Sequence, residues 1–361
     1  MNRIYIAGAH SRGTTMGHYL QYLDSSIIIV AYLYDNEEIN PSDVDGVPVI
    51  KINENSILNT ECPVYLGMRG ANHPHLIETL TACGMKYIIP VDVQLDMEIR
   101  NKYLKKYYSS IGREYLKIDE LNVFRHRKWD ENKSVCVYVA SSAFDKPLQN
   151  PYILAEYEKK IQVGVALTEK NICTEYKDNV GENISERNAQ FCELTGLYWV
   201  WKHAKEDIVG LVHYRRHFII PNDWVKRMEN HEIDVILPVP LYVAPNIEEN
   251  YRNRHAGANW DYMLEYLKEN LQEEYETASV FFRETGLYSP CNMFIMRRKI
   301  LNDLCQWMFP ILFAVVGRGG VLEDNYQNRY PGFLSERLIS YFFDKNRDKY
   351  KVVYADKNFL P

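Results

Sequence analysis

The stretch Cys192–Phe218, CELTGLYWVWKHAKEDIVGLVHYRRHF, decides the fold of this chain. Its pattern predicts an amphipathic helix, a two-residue acidic break and a short apolar strand, Ile208–Val212. The strand ends abruptly in two histidines, a tyrosine and two arginines, which occupy His213–His217. In an open α/β sheet, ligands bind in the crevice outside the carboxyl ends of the strands. A cationic cluster at such a strand end favours a phosphate-bearing ligand.

The composition is typical of a soluble globular protein with one large or two ordinary domains. Of 361 residues, 46% are hydrophobic and 25% charged. The net charge of −6 argues against a general nucleic-acid binder. The N-terminus lacks the long apolar core of a signal peptide, and no stretch approaches the roughly 18 apolar residues of a membrane span. Seven cysteines without a CxxC pair predict reduced thiols and a cytoplasmic location.

The chain divides into two predicted domains. Residues 1–120 alternate short strands, such as Arg3–Ala7 and Ile27–Tyr34, with helices, and this order predicts a small Rossmann-like α/β domain. Residues 121–133 are charged and aperiodic, which is typical of a linker. Residues 134–361 open with a strong strand and are predicted to form the second domain.

The first turn of the N-terminal domain carries Gly8, Gly13 and Gly17, but not in the GxGxxG spacing of a nucleotide-binding fingerprint. Asp35 stands at the end of the second strand, where a ribose-binding acid would sit. Two interpretations remain open: nucleotide binding, or a degenerate Rossmann-like unit used for packing or partner contact. The D-x-D at Asp43–Asp45 precedes a glycine and is predicted to form a turn.

Several segments of the second domain have interpretable patterns. A polar stretch, Asp178–Asn188, leads into a helix near its end. We expect a polar loop over a site at Tyr251–Asp261, a strand containing Asn292 at Tyr288–Met296, and an apolar helix at Gly332–Phe343.

The order of these segments resembles a nucleotide-sugar-dependent glycosyltransferase of the GT-A type. Most such enzymes carry a D-x-D that binds a divalent metal, which neutralises the sugar diphosphate. Residues 134–361 contain no D-x-D, and His-Tyr-Arg-Arg stands in the equivalent place. Because arginine is always charged and grips phosphate bidentately, the cluster can replace the metal. We therefore expect a metal-independent transfer that uses no cofactor.

Five ordered motifs resemble a bacterial family from capsule, exopolysaccharide and lipopolysaccharide gene clusters, long catalogued only as a domain of unknown function. The resemblance covers about residues 134–361 and implies galactosyl or galactofuranosyl transfer. It includes the acidic residue at Glu182 and departs at His217, where the family usually has an aromatic. The motifs are Asp178–Asn188, Cys192–Lys202, Gly210–Arg216, Asn292–Met296 and Gly332–Leu338.

Placement and resemblance together give a set of donor-binding candidates. Several have a simpler alternative, because an adjacent arginine can be a plain salt-bridge partner and an asparagine or histidine can serve only structural hydrogen bonds. The candidates are Asp178, Asn183, His213, Tyr214, Arg215, Arg216 and Asn292.

Glu336 is the candidate general base, since an inverting transfer needs a carboxylate to take the proton of the acceptor hydroxyl. The rival interpretation is a buried ion pair of Glu336 with Arg337 or another arginine. Asp261 is a second catalytic candidate, and His255 and Arg337 are candidates for acceptor binding.

The preferred hypothesis is transfer of a hexose from a UDP-sugar to a growing oligosaccharide, with a lipid-linked acceptor expected. The enzyme would be cytoplasmic. Trp307–Val316 is predicted to be a core helix, with peripheral contact at the inner face of the membrane as the alternative. Two other functions remain open: a sugar-nucleotide oxidoreductase or bifunctional protein that uses the N-terminal domain, and a non-catalytic sugar-binding scaffold.

Overall fold

The computed structural model describes residues 2–37, 39–68, 70–124, 133–172 and 175–361. The chain forms two compact units, Met1–Tyr115 and Leu116–Pro361. Residues 116–120, which the sequence placed in the first domain, thus belong to the second unit. Within them, Ile118 is fully buried in the core of the second unit. Most of the predicted linker, residues 125–132, lies outside the described residues.

The first unit is a mainly parallel sheet with helices, as its alternating pattern predicts. The sheet order is β3-β4-β2-β1-β5-β6, and only the β3–β4 pair is antiparallel. The strands are β1 (Asn2–Ala7), β2 (Ile27–Tyr34), β3 (Asp43–Val44), β4 (Val47–Lys51), β5 (Val64–Leu66) and β6 (Ile88–Pro90). The helices are α1 (Ser11–Leu23), α2 (His73–Ala82) and α3 (Val93–Ser110).

The glycines after β1 serve close backbone packing. A Cβ on Gly13 would lie 1.8 Å from the carbonyl oxygen of Gly8, and one on Gly67 would lie 2.9 Å from the Cα of Gly13. Asp35, at the end of β2, is held by α2: it accepts a hydrogen bond from Thr79 at 3.4 Å and lies 3.6 Å from His75 Nε2. These contacts agree with the packing interpretation of the first unit.

The second unit has the GT-A-like α/β fold that the segment order predicts. Its main sheet has the order β11-β16-β12-β15-β10-β7-β8-β9. Strand β15 is reversed between β10 and β12. The other strands of that row, leaving β11 aside, run parallel to β10: β16, β12, β7, β8 and β9. The strands are β7 (Val135–Ser142), β8 (Glu158–Val163), β9 (Tyr176–Lys177), β10 (Ile208–His213), β11 (Phe218–Ile219), β12 (Val235–Pro238), β13 (Leu241–Tyr242), β14 (Leu287–Tyr288), β15 (Phe294–Arg297) and β16 (Val352–Lys357).

Both faces of this sheet are covered, which explains the near-continuous apolar strands. On β7, Tyr138 belongs to one buried cluster, whereas Val139 belongs to the cluster on the other face. The helices are α4 (Asn188–Phe191), α5 (Glu193–His203), α6 (Trp224–Asn230), α7 (Ile247–Arg254), α8 (Gly257–Asn270), α9 (Gln272–Glu284), α10 (Arg298–Gly319) and α11 (Tyr330–Lys345).

Two sequence-based assignments in this unit are wrong. The expected loop at Tyr251–Asp261 is mostly helical, because Asn246 caps α7 through Glu249 N at 2.8 Å and the apolar face with Tyr251 is fully buried. The expected strand at Tyr288–Met296 is broken: Cys291 and Asn292 have φ of 77° and 49° and form a turn before β15.

Helix α10 runs unbroken through Pro310. Its buried face, which includes Met308 and Leu312, offsets the roughly 3 kcal/mol that an interior proline costs. In the described part of the chain it is the one helix with the length and mean hydropathy to cross a membrane, and half of that apolar window is buried inside the protein. The core assignment of Trp307–Val316 agrees with this burial.

Candidate active site

The cationic cluster forms a tight turn at the carboxyl end of β10. His213 N donates to Arg216 O at 3.1 Å, and Arg216 N donates to His213 O at 3.0 Å. Tyr214 N donates to Ala140 O on β7, so two central strands fix the backbone of the turn. The turn therefore presents its side chains at the carboxyl ends of the strands, where an α/β sheet binds its ligands.

The two arginines of the turn have different surroundings. Arg215 Nη2 donates to the carbonyl oxygens of Lys146 and Pro147, both at 3.3 Å, and so braces the loop that follows β7. Arg216 lies over the ring of Phe359 at 5.4 Å. No described carboxylate forms an ion pair with either guanidinium. Arg216 thus keeps its charge available to a ligand. Arg215 also holds the loop after β7 in place.

His213 ties this turn to the strained turn before β15. Its Nε2 donates to the carbonyl oxygen of Cys291 at 2.5 Å. Burial lowers the pKa of His213, so the ring is neutral near pH 7 and its single hydrogen lies on Nε2. The side chain therefore serves mainly to position the Cys291–Asn292 turn, and strained backbone of this kind is concentrated at functional sites.

Glu336, on α11, faces the same turn. One carboxylate oxygen accepts a hydrogen bond from Cys291 N at 2.6 Å, and the other accepts from Arg337 Nη1 at 2.7 Å. Burial raises the pKa of Glu336, and the charges of Arg337 and Arg216 partly oppose that rise. The ion pair of the rival interpretation is therefore present. The side chain nevertheless remains 17% exposed, so the ion pair and a proton-accepting role are compatible.

Asn292 is tied entirely into the protein. Its amide nitrogen donates to Glu193 at 2.8 Å and to Gly332 O at 3.0 Å, while Ser335 donates to its side-chain oxygen at 2.7 Å. It therefore links β15 to α5 and α11 rather than presenting free groups to a sugar. Its partner Glu193 is a half-buried carboxylate of the site that sequence reasoning missed, because it stands beside the core residues of α5.

The two acceptor-binding candidates lie together among aromatic rings. The Arg337 guanidinium is 4.2 Å from the ring centre of Tyr288, and His255 stacks on Phe333 at 4.0 Å. Burial, followed by the charge of Arg337, lowers the pKa of His255 to about 4, so this imidazole is neutral. His255 Nδ1, Arg337 Nε and the hydroxyl of Tyr251 are buried without a hydrogen-bond partner. Tyr251 and Arg337 are almost fully buried, so His255 is the partly exposed member of this group.

Asp261 does not join the other candidates. Its half-exposed carboxylate accepts a hydrogen bond from Arg252 at 2.7 Å, and Arg252 in turn pairs with Glu248. The assignment of Asp261 to catalysis rested on the loop expected at that position. Because the segment is helical, the side chain instead forms a surface ion pair on α8.

Asp178 is a structural clamp, not an exposed donor ligand. It is fully buried and accepts four hydrogen bonds: from Gly164 N, Val165 N, Ser185 Oγ and Thr195 Oγ1, at 2.5–3.1 Å. The carboxylate thereby fixes the turn after β8 to the start of α5.

Asn183 forms a local hydrogen-bonded turn beside that clamp. Its side-chain oxygen accepts from Ser185 N at 3.1 Å, and its amide donates to Gly181 O at 2.7 Å. Asn183 therefore makes local structural hydrogen bonds, and its assignment to donor binding stays a prediction.

Replacing Asp178 by asparagine is expected to destabilise the protein by at least about 2 kcal/mol, since the amide nitrogen replaces one oxygen and points its hydrogens at two of the four donors. Chemical denaturation with fluorescence detection measures the change. Ser185→Ala, which removes one of the four donors, should cost less than Asp178→Asn. Equal stability of the Asp178→Asn variant and the wild type would contradict the clamp.

A cavity of about 240 Å³, here called the β7-edge cavity, lies beside the cationic turn. Tyr214 and His217 line it, together with Ser141 and Ser142 at the end of β7. Within the described ranges, no group of three or more His, Cys, Asp or Glu side chains has the arrangement of a metal site.

The sheet order, its reversed strand and the polar edge define a GT-A-like fold of the kind found in glycosyltransferases. Residues 143–347 match the model of a protein family described as a domain of unknown function, DUF4422. The match spans more than half of the chain, so the chain belongs to that family.

Among solved structures, the chain is similar to the apo structure of WbbM, a bifunctional glycosyltransferase. The sequence identity is 25% and the TM-score 0.54, over 63% of this chain and 45% of that chain. The chain thus spans less than half the length of WbbM. None of the curated proteins compared with the chain matches it. The family and the structural similarity together support glycosyl transfer in general.

Proposed function

We propose that this protein transfers a hexose, with galactose or galactofuranose favoured, from a UDP-sugar to an oligosaccharide of a surface polysaccharide. The observation that carries the proposal is the pairing of two features at one edge of a GT-A-like sheet. Arg216 has no carboxylate partner among the described residues, and its charge acts on Glu336, a largely buried carboxylate.

The cationic turn would hold the diphosphate of the donor. In the transfer, the bond between the anomeric carbon and the phosphate oxygen breaks, and UDP leaves with the bonding electrons. Arg216, assisted by Arg215, stabilises the negative charge that develops on that oxygen. This role is the one that a metal has in related enzymes, so we propose that transfer needs no metal and no cofactor.

Glu336 would act on the acceptor. As the new bond forms between the acceptor oxygen and the anomeric carbon, the hydroxyl proton passes to the Glu336 carboxylate. His213 and the Cys291–Asn292 turn position that carboxylate through the hydrogen bond from Cys291 N. Arg337, His255 and the neighbouring aromatic rings would bind the acceptor sugar.

The physiological setting follows from the family resemblance. We propose a cytoplasmic enzyme of capsule, exopolysaccharide or lipopolysaccharide assembly whose acceptor is an oligosaccharide, lipid-linked in the cell. Peripheral contact with the inner face of the membrane would bring the site to such an acceptor.

A screen of nucleotide sugars tests the proposal. UDP-galactose, UDP-galactofuranose, UDP-glucose, UDP and NAD are added singly to the full chain, and thermal shift is followed by an assay for hydrolysis of each UDP-sugar that binds. We expect at least one UDP-sugar to stabilise the protein and to be slowly hydrolysed. Binding without any turnover would favour a sugar-binding scaffold, and stabilisation by NAD alone would favour an oxidoreductase.

A further inference from the structure

An exposed aromatic group borders His255, one of the candidates for acceptor binding. The ring of Tyr326 is 52% exposed, and its centre lies 5.0 Å from that of Phe333 and 6.0 Å from that of His255. Phe333 and His255 are half-buried and stack on each other at 4.0 Å. An exposed ring backed by two others offers an apolar face to a sugar ring.

Arg329 borders this aromatic group, on the turn Gln327–Arg329 that leads into α11. The residue is exposed, and its Nε donates to Cys192 Sγ at 3.0 Å. Partial burial lowers the pKa of this guanidinium, but Cys192, Glu193 and the nearby Tyr326 outweigh that effect. Arg329 is therefore charged, and its hydrogen bond to Cys192 holds the charge beside the rings.

Arg254, at the end of α7, also borders the aromatic group and is exposed. Burial, then the charges of Arg337 and Arg254, lower the pKa of His255 to about 4. Gln327 fixes the backbone at this point: its amide nitrogen donates to Arg254 O at 3.1 Å, and its side-chain oxygen accepts from Ala256 N at 3.3 Å. The end of α7 is thereby tied to the turn before α11, and each of the two segments contributes one arginine.

Neither of these two arginines forms an ion pair with a carboxylate of the described residues. Arg252, on the same helix, shows the contrast, because it pairs with both Glu248 and Asp261. Asp324, which precedes α11, is engaged locally and accepts a hydrogen bond from Gln327 N at 2.8 Å. Two such guanidinium groups beside exposed rings suit a ligand with both a sugar ring and an anionic group, since arginine binds carboxylate and phosphate bidentately.

This group of side chains adjoins the candidate general base. Phe333 lies three residues before Glu336 on α11, which places both side chains on the same side of the helix. Its carbonyl oxygen accepts a hydrogen bond from Arg337 Nη1 at 2.9 Å, and Arg337 also pairs with Glu336. A sugar on the rings of Tyr326 and Phe333 would thus lie about one helical turn from the carboxylate that takes the acceptor proton.

We propose that Arg254 and Arg329 bind an anionic group of the acceptor, next to the aromatic rings that hold its sugar. This assignment rests on the proposed function and deepens it, because it makes the acceptor an acidic molecule rather than a neutral one. Two kinds of acceptor carry such a group: an acidic sugar has a carboxylate, and a lipid-linked oligosaccharide has a diphosphate. Both present anionic oxygens of the kind that arginine binds.

Titration of the full chain with two matched pairs of probes tests the proposal, with affinities measured by ligand-observed NMR. Butyl β-glucoside is paired with butyl β-glucuronide, and geraniol with geranyl diphosphate. We expect the anionic member of at least one pair to bind about tenfold more tightly than its neutral partner, the gain from one hydrogen bond to a charged group. A preference for the glucuronide assigns the anion to an acidic sugar, and a preference for geranyl diphosphate assigns it to a lipid diphosphate.

The preference should depend on the two arginines. Arg329→Met should remove most of it and Arg254→Met should reduce it, while the neutral probe binds as before. Arg329→Lys should keep part of the preference, because an ammonium retains the charge but not the bidentate geometry. Arg318→Met is the matched control and should behave as wild type, since Arg318 is spent on surface ion pairs with Glu265 and Glu269. If Arg329→Met fails to fold, Arg254→Met is held to the same criterion.

Arg216→Met separates this site from the cationic turn, which also attracts anions. The preference for the anionic probe should survive in that variant. If it is lost in Arg216→Met and kept in Arg329→Met, the anion binds at the cationic turn and the assignment is wrong.

The proposed function is measured separately, through UDP-sugar binding and hydrolysis. Equal affinities within both pairs, in a protein that hydrolyses a UDP-sugar, would overturn the anionic acceptor and leave glycosyl transfer standing. If no UDP-sugar binds, the proposed function fails and the acceptor assignment fails with it.

Discussion

Replacing Arg216 by methionine is expected to lower kcat by about 10²–10³-fold, the loss typical when one donor to a developing negative charge is removed. Methionine keeps much of the side-chain volume over Phe359 but has no charge for the departing diphosphate. The measurement is steady-state transfer, or donor hydrolysis where no acceptor is known, at saturating UDP-sugar. Arg216→Lys should recover only part of the rate, because an ammonium cannot grip phosphate bidentately.

The adjacent arginine is the matched control. Arg215→Met removes two hydrogen bonds to the loop after β7, so we expect the donor KM to rise about tenfold, equivalent to about 1.4 kcal/mol, with a smaller change in kcat.

A second readout of Arg216→Met separates charge from packing: without the Arg216 charge, the pKa of Glu336 should rise further, and the acidic limb of the pH profile should move to higher pH. A normal kcat in Arg216→Met would show that Arg216 does not stabilise the departing diphosphate.

Replacing Glu336 by glutamine is expected to lower kcat by about 10²–10⁴-fold with little change in UDP affinity, because it removes the proton acceptor while keeping one oxygen that can still accept from Cys291 N; the amide nitrogen then faces Arg337. Glu193→Gln is the control, since Glu193 is the neighbouring carboxylate and bonds only Asn292 among the contacts of the site. A greater loss of kcat in Glu193→Gln than in Glu336→Gln would move the catalytic role to Glu193.

The pH dependence of kcat gives an independent check on Glu336. A base works ionised, and burial raises the pKa of this carboxyl above its ordinary value of 4.5. Activity should therefore fall on the acidic side at a pH above that value. The residual activity of Glu336→Gln should lack this acidic limb. The same limb in both proteins would assign it to another group.

The part of the site that could be predicted from sequence is the part built from one continuous segment. The helix and strand of Cys192–Phe218 form nearly as expected, α5 ending at His203 and β10 at His213. A strand end fixes where the following side chains lie, so His213–Arg216 could be placed at the ligand edge without any long-range information.

What could not be predicted depends on contacts between distant segments. The turn at Cys291 was predicted to be part of a strand because the apolar run Met293–Met296 follows it, and its positive φ is accompanied by hydrogen bonds with the distant residues His213 and Glu336. Glu193 stood in an apolar helix and gave no signal of its partner Asn292, 99 residues away. Asp178 has a side chain that could contact a ligand, but in the folded protein its carboxylate is fully buried and hydrogen-bonded to other protein groups.

The most direct test of the central claim, that arginines do the work of a metal in this GT-A-like fold, is the transfer rate of metal-stripped wild-type protein. The purified full chain is dialysed against EDTA and assayed with its UDP-sugar donor, with and without added Mn²⁺ or Mg²⁺. We predict the same rate in all three conditions, and a large fall in Arg216→Met that added metal does not restore. Loss of activity in EDTA that is recovered with Mn²⁺ would contradict the account.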